Sequence, residues 1–319
     1  MKVNKCYKYV LSLGHLCSDI NQSILSAVLP FLIATYHYDY TTAAMLVTVS
    51  NVFGAFVQPF IGMLSDKKNK LLYMTLGVLL ASGGMAVTGF ISNFFGLCIV
   101  VIISGIGVVM FHPQAAKLVN SVSSKNAKGK GMSIFSFGGK VGFTLGPVYT
   151  AFLMNLFGMK RTILFLIPGI VFGIVCSFFN KDFENLDVLE VEKKEKVKSE
   201  QKDDWSGFIK LCCVVFSRSI LSNGISTFLA FYFIQQFSKS NSFASMLLSV
   251  FYGIGSITLL GGGIADCFGH RKMVRLSFCI FLPAIFIFTN TSHFVIALIM
   301  LIFMTCGESL SYSPMVVLG

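Results

Sequence analysis

The hydrophobic residues of this chain are grouped in long apolar runs that short polar connections separate. A helix that crosses a membrane needs about 20 predominantly apolar residues. On that measure the sequence predicts ten spanning helices, at residues 8–36, 42–64, 71–91, 94–118, 131–156, 161–180, 206–236, 243–265, 273–290 and 293–315. The pattern therefore indicates an all-α integral membrane protein.

One strongly polar stretch, residues 181–205, interrupts this pattern and is rich in Glu and Lys. It divides the chain into an N-terminal transmembrane half of six helices, residues 1–180, and a C-terminal half of four, residues 206–319. The stretch could form a charged surface helix supported by pairs of opposite charge, or a flexible tether. We expect a cytoplasmic linker without chemistry of its own.

Composition supports the membrane assignment and limits the possible partners. Hydrophobic residues make up 55% of the chain and charged residues only 12%, with a mean hydropathy of +0.76; soluble domains carry about 25% charged residues. The net charge of +11 lies in short loops rather than on one amphipathic face, so we expect no nucleic-acid partner. The nine cysteines show no paired spacing, and we expect no disulfide framework, metal site or cofactor.

The positions of the cations predict the orientation. Lys2, Lys5 and Lys8 lie at the N-terminal end of the first span, and further cations follow in every second connection. The opposite connections offer only Lys160, Arg161 and Lys239. Because cytoplasmic loops carry the excess of Lys and Arg, the N-terminus is predicted to lie in the cytoplasm of a cell with the chain in its plasma or inner membrane. The first apolar run lacks a small-residue cleavage site, which indicates a retained span rather than a signal peptide.

Polar residues inside the spans are the first candidates for function, because ionisable groups are costly in hydrocarbon. The first span carries His15, Asp19, Gln22 and Ser26 at steps of four, three and four, which places them on one helical face. This stripe could hydrogen-bond a neighbouring helix. Alternatively, Asp19 could exchange a proton, with His15 as a second titratable group one turn away.

The seventh span carries a matching stripe of Arg218, Ser222 and Ser226, about two hundred positions downstream. Transporters built from repeats bind their substrates between the two halves near the bilayer midplane. Arg218 could hold an anionic substrate there, or extend towards the membrane surface. Glu308 places a carboxylate in the tenth span.

The fourth and fifth spans contain residues that disturb a regular helix. Pro113 lacks a backbone donor and predicts a break or kink, with His112 and Gln114 beside it. The fifth span combines small residues that favour close packing and bending with Lys140, a buried cation that needs Asp19, a carbonyl or an anion as partner. The small residues and the proline are Gly138, Gly139, Gly142, Gly146 and Pro147.

A polar motif occurs twice at corresponding places in the two halves. The first copy contains Gly62, Asp66, Lys67 and Lys70, and the second contains Gly262, Asp266 and Arg271. A short polar turn would explain one copy, but two matched copies resemble the gating loops between helices 2 and 3 and between helices 8 and 9 of the major facilitator superfamily. The resemblance implies a major facilitator-type helical bundle, with six N-terminal helices and four of the six C-terminal ones.

Further motifs resemble the fosmidomycin-resistance group of that superfamily. They are Gly14-His15 with Asp19 and Gln22, Gln58-Pro59, Phe111-His112-Pro113, Gly138-Gly139, Leu145-Gly146-Pro147 and the closing Pro314 to Gly319. The resemblance implies proton-coupled efflux of a small drug-like, hydrophilic or anionic compound. Gly142-x-x-x-Gly146-Pro147 is similar to a fifth-helix motif of antiporters.

The resemblance also implies roles for the polar residues within the spans. We expect proton coupling and the substrate cavity to involve His15, Asp19, Gln22, Ser26, His112, Gln114, Lys140, Arg218, Ser222 and Glu308. Three features depart from the group: the fourth span lacks an arginine, Lys140 replaces a neutral residue, and two C-terminal helices are missing. Without those two helices we expect Arg218 and Glu308 to face lipid, and the ten-helix chain to be a truncated transporter that is inactive alone.

Three other functions remain open at this stage. They are uptake of a small organic anion, a non-functional truncated transporter, and a membrane enzyme. His15 and Asp19 have the H-x-x-x-D spacing of acyltransferases, but they lie in mid-span, and the chain has no G-x-S-x-G, H-E-x-x-H or P-loop motif. We therefore predict a transporter and not an enzyme, a monomer if complete, whose partners are a small-molecule substrate, protons and the lipid bilayer.

Overall fold

A computed structural model describes residues 6–65, 70–123, 128–179, 205–257 and 269–310. Within these ranges the regular structure is helical, with no strand. The helices are α1 Tyr7–Tyr36, α2 Tyr40–Ser65, α3 Lys70–Val87, α4 Phe94–Val122, α5 Lys128–Phe157, α6 167–179, α7 Trp205–Phe237, α8 Asn241–Ile257, α9 His270–Asn290 and α10 Phe294–Leu310. Two 3₁₀ segments, Thr88–Phe90 and Met159–Leu166, follow α3 and precede α6.

Each helix coincides with one predicted span, so the all-α prediction is confirmed. Seven helices of the described ranges are long and apolar enough to cross a membrane, and α10 is a shorter apolar helix. The helices α5 and α8 occur where spans are predicted but are not among those seven. The predicted ends of the eighth and tenth spans lie outside the described residues, as do residues 181–204 of the linker between the halves.

The chain forms two compact units, Met1–Lys198 and Ser199–Gly319. In the first unit, α1 is the central helix and contacts α2, α3, α4, α5 and the 3₁₀ segment before α6. The contact between α1 and α5 is the most extensive of these. Outward-facing positions of the unit carry large apolar side chains such as Phe56, Phe95 and Phe178, as expected for helices that face lipid.

The close approach of α5 to α1 depends on glycines. A Cβ at Gly142 would lie 3.1 Å from the Cβ of Asp19 and would also meet the carbonyl oxygen of Leu16. At Gly146 an added Cβ would lie 2.8 Å from the carbonyl oxygen of Ile20. Small residues allow helix backbones in a membrane to pack at this distance, and the polar face of α1 is thereby held against α5.

The helix α4 passes through Pro113 and continues to Val122, so the proline does not end the helix. Phe111, two residues before the proline, is fully buried against Phe172 of α6, with ring centroids 5.7 Å apart. Gly14 of α1 makes room for both rings, because a Cβ there would lie 2.6 Å from Phe172 and 2.7 Å from Phe111. This packing fixes the rotation of α4 beside α1.

The second unit contains α7, α8, α9 and α10, in which α9 packs along α10, and α8 contacts both α7 and α10. Tyr232 donates a hydrogen bond of 2.7 Å to the carbonyl oxygen of Phe288 and joins α7 to α9. Gly307 lets α10 approach α9 closely, because a Cβ there would lie 2.9 Å from the Cβ of Phe281.

Candidate functional site

A carboxylate between two imidazoles lies inside the first unit. His112 Nε2 of α4 is 2.9 Å from Asp19 Oδ1, and His15 Nε2 of α1 is 3.2 Å from Asp19 Oδ2. His15 and Asp19 are one turn apart on α1, as the sequence indicates. His112 approaches from α4 and completes the cluster. In sequence it is 93 residues from Asp19, whereas His15 is only 4 residues away. We call these three residues the His–Asp–His cluster.

Backbone carbonyls determine which ring nitrogen of each histidine faces the carboxylate. His15 Nδ1 is 2.8 Å from the carbonyl oxygen of Phe135, and His112 Nδ1 is 2.8 Å from that of Val108. A carbonyl oxygen only accepts, so both Nδ1 atoms carry hydrogen. Each Nε2 therefore presents either a lone pair or, in the imidazolium form, a proton to Asp19.

This arrangement requires a positive occupant. With Asp19 ionised and both rings neutral, the lone pairs of two Nε2 atoms would point at carboxylate oxygens and repel them. A proton in each contact relieves the repulsion, whether it is formally on nitrogen or on oxygen. The cluster is therefore built to hold positive charge between its three members.

Burial makes that requirement stronger. The exposed fraction of the side chain is 5% for Asp19, 13% for His15 and 32% for His112. The ring of Phe135 stacks on His15 with centroids 4.0 Å apart. Water cannot compensate an unpaired charge in such surroundings, and His112 is the most accessible member of the cluster.

Gly139 of α5 closes the cluster from the other side. A Cβ at this position would lie 2.5 Å from Asp19 Oδ2 and 2.6 Å from His15 Nε2. On α1, about one turn before His15, Ser12 donates a hydrogen bond of 2.8 Å to the carbonyl oxygen of Ile134 of α5. Because Ser12 and His15 both hold carbonyls of α5, the helix is attached to α1 beside the cluster.

The other polar residues that the sequence analysis selected in the first unit differ in their exposure. Ser26 and Gln114 are buried, and Lys140 is half-buried on α5 next to Gly139. Gln22 is exposed. A step of three residues rotates it about 60° from Asp19 around the helix, so the four residues of the predicted stripe do not share one environment.

Arg218 and Glu308 meet inside the second unit. Arg218 of α7 forms an ion pair with the Glu308 carboxylate of α10, and the side chains are only 15% and 11% exposed. Ser309 Oγ lies 3.3 Å from the other carboxylate oxygen of Glu308. The expectation that both charges face lipid without a partner is wrong, because α7 and α10 place them within reach of one another.

A small, mainly apolar pocket lies beside the ion pair of Arg218 and Glu308. It is lined by Leu221, Ser277, Phe278, Phe281 and Gly307. The other two residues of the predicted α7 stripe lie further along the helix. Ser222 is half-buried, and the buried Ser226 donates a hydrogen bond of 3.0 Å to the carbonyl oxygen of Asn223. Arg218 is thus neutralised from within the chain.

The repeated loop motif is only partly described. Gly62 lies in α2, Lys70 begins α3 and Arg271 lies in the first turn of α9. The other four members, Asp66, Lys67, Gly262 and Asp266, lie outside the described residues.

Sequence reasoning selected every member of the His–Asp–His cluster but did not join His112 to Asp19. It also missed Ser12 and the carbonyls of Ile134, Phe135 and Val108, which fix the rings and α5. The hydroxyl of Ser12 lies three residues before His15, and that spacing is the one signal in the sequence that could have drawn attention to it.

Comparison with known proteins identifies the family of the chain. The sequence profile of the Major Facilitator Superfamily matches residues 11–319. A buried polar cluster in a bundle of apolar helices is the kind of site that a secondary transporter uses. The chain belongs to the major facilitator superfamily. The relatives and solved structures that it matches are transporters and not enzymes.

Individual relatives narrow the resemblance. The fosmidomycin resistance protein of Escherichia coli is 22% identical over 275 residues, which cover 83% of this chain and 66% of that protein. The multi-drug resistance efflux pump PmrA of Streptococcus pneumoniae is 28% identical over 148 residues, or 44% of this chain and 36% of the pump. The predicted resemblance to the fosmidomycin-resistance group is confirmed. The chain spans about two thirds of the length of the first of these relatives.

The fold agrees with that of solved transporters. One of them is a bacterial homologue of the human lysosomal transporter Spinster, in an inward-facing and occupied conformation. The alignment covers 98% of this chain and 74% of the chain of that homologue. The TM-score is 0.78 at 15% sequence identity, so the likeness concerns the fold alone. Membership of the superfamily makes the chain a multi-pass membrane protein of a family that handles small molecules.

Proposed function

We propose that the chain carries the proton-coupling half of an exporter that exchanges protons for a small drug-like or hydrophilic compound. The observation that supports this proposal is the His–Asp–His cluster, which needs positive charge between its members and is buried in the helix bundle. A multi-drug resistance efflux pump among the relatives supports export as the direction of transport.

In this proposal Asp19 is the coupling carboxylate and His112, the most accessible member, passes protons to it. When a proton leaves, the contact between Nε2 and the carboxylate loses its attraction, and α4 and α1 are released from one another. His15 connects the same event to α5 through the carbonyl of Phe135. Proton binding is thereby connected to helix packing, as antiport requires.

The membrane arrangement belongs to the same proposal. The asymmetry of the cations supports a cytoplasmic N-terminus in the plasma membrane of a cell, with the linker on the cytoplasmic side. Uptake of an organic anion is the second candidate. Because Glu308 neutralises Arg218, the guanidinium offers an anionic substrate less positive charge, which favours efflux over anion uptake.

The proposal is tested in proteoliposomes under an imposed pH gradient, with each change made in a transporter that has all twelve helices of the family's bundle. We expect Asp19→Asn to abolish pH-driven substrate flux, because the amide cannot exchange a proton, while the amount of protein in the membrane stays the same. Asp39→Asn, a change to an exposed carboxylate in the connection between α1 and α2, is the matched control and should transport normally. Normal proton-driven transport by Asp19→Asn would refute the coupling role.

A further inference from the structure

The His–Asp–His cluster has the donor set of a transition-metal site. It offers two imidazole nitrogens and one carboxylate oxygen, and these three ligand atoms lie within 4.8 Å of one another. The sequence analysis expected no metal site, because the cysteines show no paired spacing. The three ligands come from positions 15, 19 and 112 and meet only in the folded unit.

The distances within the cluster suit one small cation. Zinc binds imidazole nitrogen at about 2.0–2.1 Å and carboxylate oxygen at about 2.0–2.2 Å, so tetrahedral ligands lie about 3.3–3.5 Å apart. The two contacts to Asp19 are 2.9 and 3.2 Å. These contacts involve the two different oxygens of Asp19 and would lengthen by a few tenths of an ångström around one cation. The ligand atoms lie within 4.8 Å of one another, so the farthest of them would also draw together, which rotation of the partly exposed His112 ring would allow.

The surroundings of the rings are those of metal ligands. A histidine that binds a metal almost always donates its other ring N–H to a carbonyl or carboxylate, which fixes the tautomer and the ring orientation. Both Nδ1 atoms here donate to backbone carbonyls, of Phe135 and of Val108, at 2.8 Å. Both Nε2 lone pairs are consequently directed at the position that a cation would occupy.

We propose that the His–Asp–His cluster binds a divalent transition-metal ion of the zinc type, with two imidazole nitrogens, one carboxylate oxygen and one further position open on the side of His112. Nitrogen ligands select zinc and its neighbours over magnesium and calcium, which take oxygen ligands. The metal replaces the protons that otherwise lie between Asp19 and the rings, and it joins α1 to α4. Metal binding does not depend on the proposed transport activity, and it is measured without transport.

The test is a titration with Co²⁺ of the 319-residue chain, which is purified through an affinity tag that contains no histidine. We expect saturable binding of one equivalent, seen in the visible absorption of four- or five-coordinate cobalt, with Zn²⁺ but not Mg²⁺ as competitor. Cysteine ligands would add sulfur-to-cobalt charge-transfer bands in the near ultraviolet, which this cluster does not produce.

Variants locate the site. His112→Gln and His15→Gln should each weaken Co²⁺ binding at least about tenfold. His293→Gln, which changes an exposed histidine of the second unit, should leave it unchanged. X-ray absorption at the zinc edge of the wild-type protein needs no variant and should show nitrogen and oxygen ligands without sulfur.

The proposal is overturned by folded wild-type protein that shows no saturable binding, by full binding in both His112→Gln and His15→Gln, or by sulfur ligands in the absorption spectrum. Transport that fails while the metal binds would refute only the proposed function. Transport that succeeds in a protein that binds no metal would refute only this inference.

Discussion

The glycines of α5 offer a direct test of how the cluster is positioned. In Gly139→Ala the new Cβ would lie 2.5 Å from Asp19 Oδ2 and 2.6 Å from His15 Nε2. Carbon atoms prefer neighbours at about 3.5–4.0 Å, so these two polar atoms must each move by about 1 Å. They are the ends of rotatable side chains, and we expect them to rotate away without unfolding the unit.

Gly139→Ala should therefore impair the His–Asp–His cluster without lowering the stability of the protein. Alanine is about 1 kcal/mol more favourable than glycine inside a helix, which offsets part of the crowding in Gly139→Ala. We expect thermal stability close to that of the wild type. Co²⁺ affinity and pH-driven flux should both fall about tenfold or more, because the carboxylate no longer lies between the two rings.

Two other glycines serve as controls in the same assays. An added Cβ at Gly83 of α3 meets nothing within 4 Å, so Gly83→Ala should be as stable as the wild type or up to about 1 kcal/mol more stable. In Gly142→Ala the Cβ meets the Leu16 carbonyl and lies 3.1 Å from the backbone nitrogen of Ile20. Backbone atoms cannot rotate away, and overpacking of this kind costs about 1–3 kcal/mol.

Thermal unfolding in detergent, together with the Co²⁺ titration, distinguishes the three variants. We expect Gly142→Ala to unfold at a lower temperature and Gly139→Ala to lose the site while it keeps its stability. Gly139→Ala with wild-type metal affinity and flux would refute the reasoning about its position. Equal stability of Gly142→Ala and Gly83→Ala would refute the close approach of α5 to α1.

Two further predictions concern the second unit and the orientation of the chain. Removal of one partner of a buried ion pair costs about 3–5 kcal/mol, so Arg218→Gln and Glu308→Gln should each lower stability, whereas the double variant should lose less than the sum of the two; additive losses in denaturant unfolding would contradict the pairing. In a cysteine-free background, Glu190→Cys in the linker should react with an impermeant reagent in everted vesicles and not in intact cells, and the reverse result would contradict a cytoplasmic N-terminus.

Sequence alone determined which segments are helices and that they belong in a membrane. Apolar runs of sufficient length have few alternatives, because backbone groups in hydrocarbon must be satisfied within the helix. The periodicity of α1 also placed His15 and Asp19 on one face, since residues four apart lie one above the other. Their contact of 3.2 Å follows from this local geometry.

Tertiary structure decided which polar residues meet across helices. His112 reaches Asp19 because the packing of Phe111 and Phe172 around Gly14 sets the rotation of α4. Glu308 neutralises Arg218 across 90 residues of sequence, where sequence reasoning expected two charges facing lipid. A helical period gives the polar face of each helix but not the direction in which the face points. That direction depends on side-chain packing between helices, and here on glycines whose absent side chains leave room for the site.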